Sequence, residues 1–110
     1  MAVYARTSNP KGLLDKIKDY INKGKIESWK YDADGDFTHI PEQWENKAWF
    51  RPNIESERLV FGLLGNKNIE MSKSLYAIYH GRFIEMLLTH FDTDISVTWP
   101  SSGKTTYDNF

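Results

Sequence analysis

The pattern of apolar and polar positions predicts two amphipathic helices. The first is expected over residues 10–23, because Pro10 suits a first helical turn and Gly24 favours a helix end. The second is expected to begin after the capping residue Ser72 and to end near Phe91. Apolar residues recur at helical spacing in both, and in the first helix they are Leu13, Leu14, Ile17, Tyr20 and Ile21.

Gly81 stands in the middle of the second helix. The polar, solvent-facing side of this helix is narrow. A glycine there costs about 1 kcal/mol of helix propensity relative to alanine. A close approach of another strand or helix would explain it. The narrow polar arc also predicts that this helix forms the centre of the core.

Alternation with a period of two predicts the strands of one sheet. Pro52 is expected to place its strand at a sheet edge or to end it early. The order β-α-β-β-β-β-α, with room for a final strand, predicts an α+β fold of two layers. Both helices then cover one face of a mostly antiparallel sheet. The predicted strands cover residues 3–6, 29–31, 37–40, 48–51 and 58–64, and the final one would cover 94–99.

Length and composition favour one globular domain over residues 1–99, followed by a flexible tail over 100–110. Of the 110 residues, 40% are hydrophobic, and the formal net charge is −1. The chain has no cysteine, which excludes disulfides, cysteine-bound metals and a thiol nucleophile. No apolar run is long enough to span a bilayer, and the first residues lack the order of a signal peptide. We therefore expect a cytoplasmic protein without membrane contact.

Three segments carry a resemblance: Tyr76 to Phe91 (YAIYHGRFIEMLLTHF), Asp34 to Thr38 (DGDFT) and Lys47 to Pro52 (KAWFRP). Together they resemble a group of short, uncharacterised bacterial proteins of this length. The resemblance covers residues 2 to about 92 and implies a bacterial cytoplasmic domain. It implies no activity and no cofactor.

His80 lies near the middle of the apolar stripe, one turn from Tyr76 and Ile84. Burial disfavours the charged imidazole, so this group could act as a general base. It could equally be a core histidine bonded to a backbone carbonyl or to a tyrosine hydroxyl. Arg82 could hold an anionic group beside His80, or form a surface ion pair with Glu85. The candidate catalytic residues are therefore His80, Arg82 and Tyr76.

A second candidate site consists of aromatic and basic residues in the sheet. Stacked aromatics with interleaved cations are what single-stranded nucleic acid requires, although aromatics in strands are first of all core residues. Residues 31–45 carry five acidic side chains and no lysine or arginine, so nucleic acid is the weaker interpretation. Trp44, in a polar loop, could anchor a protein partner or cap the sheet edge. The candidate binding residues are Trp29, Tyr31, Trp44, Trp49 and Arg51.

Asp32, Asp34 and Asp36 surround Gly35 in a predicted tight turn. Alternate carboxylates can converge on a hard cation, but Phe37 stands where a calcium loop would have glycine. The alternative is an acidic hairpin turn in which aspartates bond to the backbone. We predict no cofactor.

No phosphate-binding, dinucleotide-binding or nucleophile-elbow motif occurs in the chain. The leading interpretation is a small non-catalytic module that binds an unknown protein partner or associates with itself. The alternatives are an enzyme or small-ligand binder centred on His80, and single-stranded nucleic-acid binding on the aromatic sheet face.

Overall fold

The computed structural model describes residues 1–110 and contains two helices and six strands. Along the chain these are β1 Val3–Arg6, α1 Pro10–Asn22, β2 Trp29–Tyr31, β3 Phe37–His39, β4 Ala48–Ile54, β5 Arg58–Gly65, α2 Lys73–Phe91 and β6 Val97–Pro100.

The six strands form one antiparallel sheet in the order β2-β3-β4-β5-β1-β6. The predicted α+β class and element order are confirmed, including the final strand. The sheet is not a simple meander, because β1 inserts between β5 and β6. Val3 thus pairs with Phe61 on one side and with Pro100 on the other.

Both helices begin at capped residues. The Asn9 side chain accepts a hydrogen bond from the Gly12 amide, and Ser72 accepts one from the Leu75 amide. Helix α1 ends at Asn22, and the chain then turns through Gly24, whose φ of 75° favours glycine. Neither helix has both the length and the apolar composition needed to cross a bilayer.

The core lies between one face of the sheet and the two helices. Helix α1 packs over β5, β4 and β2, and α2 packs over β1 and β6. Phe83 of α2 contacts Trp29, Phe50 and Phe61 of three different strands through its ring. These aromatic contacts add to area burial as the source of core stability. The other face of the sheet, called here the open face, carries no helix.

The last residues of the chain extend the sheet. Strand β1 covers only the first half of β5, so the backbone groups of Leu63 and Gly65 lack a partner there. Asn109 fills this gap, since its amide donates to the Leu63 carbonyl and its carbonyl accepts from the Gly65 amide. The buried Asp108 carboxylate accepts from the Leu63 amide at 2.8 Å. The division of the chain into residues 1–99 and a flexible tail stays a prediction. In the structure, the end of this tail lies beside β5.

Both outer strands discourage strand addition. The Ser101 amide donates to the Ala2 carbonyl, so the nitrogen of the preceding Pro100 faces the open edge of β6 without a proton to donate. At the other edge, β2 has only three residues. Pro52 does not end its strand: β4 continues to Ile54, past the point where β3 pairs with it at Phe37. Nor is β4 an edge strand, since it lies between β3 and β5. Pro52 pairs with Phe61 of β5 and is tolerated because β3 does not pair with β4 at this position.

Candidate functional site

His80 is buried in the interior, with 5% of its surface exposed. Its Nδ1 bonds to the Tyr76 carbonyl, and its ring packs edge-on against Phe50. Burial lowers the pKa of the imidazole, and the bond to the Tyr76 carbonyl only partly opposes this. The other ring nitrogen, Nε2, is buried without a hydrogen-bond partner. A neutral imidazole that donates through Nδ1 fits these surroundings.

His80 lines none of the principal surface cavities. Tyr76 does lie beside His80, with ring centroids 6.0 Å apart. Arg82 lies on a different side of α2, where its guanidinium pairs with Glu85 at 3.3 Å and is exposed. The three candidate catalytic residues are therefore not assembled around a common opening.

His39 is a second buried histidine and is not among the candidates predicted from the sequence. It lies near Arg82. Its Nδ1 bonds to the Ser28 carbonyl at 2.8 Å, and its ring packs on Trp29. Burial lowers its pKa, and the nearby Arg82 charge acts in the same direction. His39 is 4% exposed, so it too is held as a packed core residue.

Tyr79 organises the polar part of the core. Its hydroxyl donates to the Trp44 carbonyl and lies 3.0 Å from the Thr38 hydroxyl. Burial raises the pKa of this phenol. These bonds satisfy a hydroxyl in a side chain that has no exposed surface, and they hold the Trp44 loop against α2.

The candidate binding residues are divided between the two faces of the sheet. Trp29 and Tyr31 point towards the helices: Trp29 is 1% exposed, and the Tyr31 hydroxyl donates to Asn22 at 2.8 Å. Trp49 and Arg51 alternate with buried Ala48 and Phe50 and so lie on the open face.

Trp44 is partly exposed, packs against the core and belongs to neither group. The aromatic strands therefore do not form one continuous stacking platform of the kind that single-stranded nucleic acid uses.

The acidic turn is organised by hydrogen bonds and one ion pair. Asp32 accepts from the amides of Asp34 and Asp36, both at 3.0 Å. Asp36 receives two bonds from Arg51, at 3.0 and 2.7 Å. The three carboxylates lie within 4.8 Å of one another. However, the Arg51 guanidinium supplies the positive charge that a cation would otherwise bring to Asp36.

A stacked and partly exposed aromatic pair lies on the open face at β1 and β6. Trp99 stacks on Tyr4 with ring centroids 5.0 Å apart and planes inclined by 11°. The Arg58 guanidinium lies over the other side of this pair, 5.1 Å from the Tyr4 ring. Val97 stands two residues from Trp99 on the same face, with 47% of its surface exposed. We call Tyr4, Arg58, Val97 and Trp99 the open-face patch.

The basic groups of this region are matched by acidic ones. Arg58 bonds to Glu55 at 2.6 Å, and Arg6 lies 3.9 Å from Glu57. These four charged residues and Trp99 line a shallow cavity of about 340 Å³ beside the patch. The patch therefore presents a stacked aromatic surface whose neighbouring charges are paired.

Sequence reasoning missed the open-face patch because it depends on pairing between distant strands. The alternation of Tyr4 with Ala5 and of Trp99 with Thr98 does indicate that each aromatic leaves the core. Only the pairing of β1 with β6 shows that the two rings meet.

The chain matches no family model, no curated protein and no solved structure in the three comparisons. The resemblance to short bacterial proteins therefore stays a prediction.

Proposed function

We propose that the protein is a non-catalytic interaction module that binds another protein through the open-face patch. The observation that carries the proposal is the stacked pair of Tyr4 and Trp99, in which Trp99 keeps 36% of its surface exposed. A tryptophan already held in one orientation loses little freedom on binding. Tryptophan, tyrosine and arginine are the residues that most often dominate binding energy at protein interfaces.

The charges near the patch favour a protein partner over nucleic acid. Arg58 and Arg6 each lie beside a glutamate, so neither offers an unmatched positive charge to a phosphate. Arg51, elsewhere on the open face, is paired with Asp36. A complementary protein surface would supply an apolar recess for Trp99 and Val97. Its rim would carry polar groups of both signs for the two ion pairs.

The surroundings of His80 support a binding function over catalysis. Its imidazole lies away from the principal cavities, and its one hydrogen bond is to its own helix. The expected bacterial origin and cytoplasmic location belong to this proposal and stay predictions.

Site-specific photocrosslinking in the cells that produce the protein tests the proposal. The photoreactive residue p-benzoylphenylalanine replaces Val97 in the patch, or Thr89 on the exposed side of α2 as a control. We expect a discrete product between the chain and a different protein from position 97 and none from position 89. Loss of a central tryptophan weakens binding about 30-fold. Trp99→Ala should therefore remove the product.

The matched control for Trp99→Ala is Ile54→Ala, which shortens another exposed apolar residue, 53% exposed and outside the patch. It should leave the product unchanged. Absence of a product from position 97 would overturn the proposal, as would the same product from position 89. A product made only of two copies of this chain would also overturn it.

A further inference from the structure

The outward side of α2 carries an apolar stripe that is largely exposed to solvent, although Ile84 also packs against the core. Its four residues are spaced by four, three and four positions, the spacing of a helix–helix seam. Ala77, Gly81 and Leu88 are exposed, and Ile84 is partly exposed. We call these four residues the α2 stripe. Helix α1 contacts the C-terminal end of α2 and not the stripe residues: Tyr20 packs on His90 and Phe91, and Lys16 pairs with Asp94 after the helix.

Gly81 has no explanation within its own chain. A Cβ atom built at this position meets nothing within 4 Å, so the close approach expected from the sequence is not made by any element of this chain. Leu88 is similarly unaccounted for, with 52% of its surface exposed to solvent.

The stripe matches a second copy of itself. If two α2 helices pack antiparallel about a two-fold axis, residues whose numbers sum to 165 face each other. Gly81 then faces Ile84 of the other copy, and Ala77 faces Leu88, so that each small residue receives a large one. An isologous contact must be self-complementary in this way.

The charges at the two ends of the stripe match in the same register. Lys73 lies at the start of α2 and Asp92 directly after its end, and their numbers also sum to 165. Both are exposed, and neither has an ion-pair partner in its own chain. In the antiparallel arrangement each lysine approaches the aspartate of the other copy, at both ends of the seam.

We infer that the α2 stripe binds a second copy of this chain, forming a dimer through antiparallel α2 helices. This surface is separate from the open-face patch, so the inference does not depend on the proposed function. The dimer would present two open-face patches to a partner, and the avidity of the pair would exceed the affinity of either.

A charge-exchange experiment tests the arrangement by sedimentation equilibrium at low salt. Lys73→Glu alone places glutamate against Asp92, and Asp92→Lys alone places lysine against Lys73. Because each homodimer contains two repulsive pairs, we expect each variant to dimerise about tenfold more weakly than wild type. In an equimolar mixture of the two variants both pairs are attractive, so the heterodimer should recover the wild-type affinity.

Gly81→Leu tests the packing independently. The side chain has room in the single chain and favours the helix, so the variant should unfold at a higher temperature. It should nevertheless fail to dimerise, because leucine and Ile84 would occupy the same space. Thr89→Leu, on the exposed far side of α2, is the matched control and should dimerise as wild type does.

Three results would overturn the inference. The first is a wild-type protein that stays monomeric at about 100 μM, a concentration at which a weak specific dimer forms. The second is a mixture of the two charge variants that associates no better than either alone. The third is a Gly81→Leu variant that dimerises normally. None of these outcomes bears on the crosslink at Val97.

Discussion

The main chain at Tyr107 crosses directly over Gly62, through the space that a Cβ atom on residue 62 would occupy. Glycine is therefore required in the middle of β5 because a segment 45 residues later in the chain packs against it. In that segment the Asp108 carboxylate accepts a hydrogen bond from the Leu63 amide. The same strand has Gly65 where Phe110 passes. The composition of a central strand is thus adapted to the final segment of the chain.

Gly62→Ala should lower the free energy of unfolding by about 1–3 kcal/mol, because the methyl group displaces main chain rather than a flexible side chain. Urea unfolding measures this loss. Hydrogen exchange should show that the amides of Leu63 and Gly65 lose protection first. Gly103→Ala is the control, since a Cβ there meets nothing within 4 Å. Equal stability in the two variants would show that the tail does not hold its position over β5.

Stability should fall as the pH decreases through the ordinary histidine pKa of about 6.5. Burial lowers the pKa of both His80 and His39 in the folded protein. The unfolded chain therefore takes up protons at a higher pH than the folded one. The stabilising contribution is complete above the unfolded pKa and is lost as the pH falls below it.

His80→Gln tests this pH dependence, because the amide can still donate to the Tyr76 carbonyl but cannot titrate. Urea midpoints measured between about pH 7.5 and pH 5 should change less in this variant than in wild type. His90→Gln, at a partly exposed position of α2, is the matched control. A pH dependence that His80→Gln leaves intact would contradict the assignment.

Tyr79→Phe should destabilise the protein by about 1 kcal/mol, because it removes the hydroxyl that donates to the Trp44 carbonyl, which then keeps only the 3.3 Å bond from the Lys47 amide. Tyr76→Phe provides the comparison on the same helix, since the Tyr76 hydroxyl makes no hydrogen bond within the protein and the side chain is only partly buried. Thermal unfolding should separate the two variants by several degrees. If they unfolded together, the interior hydroxyl network would contribute nothing to stability.

The helices and strands could be predicted from the sequence. Which side of each strand faces the helices could not. Helical spacing and the caps at Asn9 and Ser72 are local, so α1 and α2 could be predicted closely. Alternation separates Trp49 from Phe50, but it does not say which of them the helices cover. That depends on which side of the sheet the helices pack against, which is decided by contacts between residues far apart in the chain.

The candidate sites show the same division between local and distant information. Whether His80 faces a cleft or the core depends on what packs across from it, and Phe50 is 30 residues away in the sequence. The ion pair of Arg51 with Asp36 joins two neighbouring strands and could be anticipated only after their pairing was known. Gly81 was recognised as unusual from the sequence alone, because a helix propensity requires no tertiary knowledge.

The position of β1 between β5 and β6 has a consequence for the order of folding. The first strand to be synthesised must wait for β5 before it gains one neighbour, and for β6 before it gains the other. Thr98 bonds to the Tyr4 carbonyl across 94 residues of sequence. A ribosome would release almost the whole chain before this sheet could close, so we expect the β2-β3-β4-β5 region to form first and β1 to dock late. Until then the apolar side chains of β1 stay exposed to solvent. During this interval the nascent chain is most prone to aggregate with other chains.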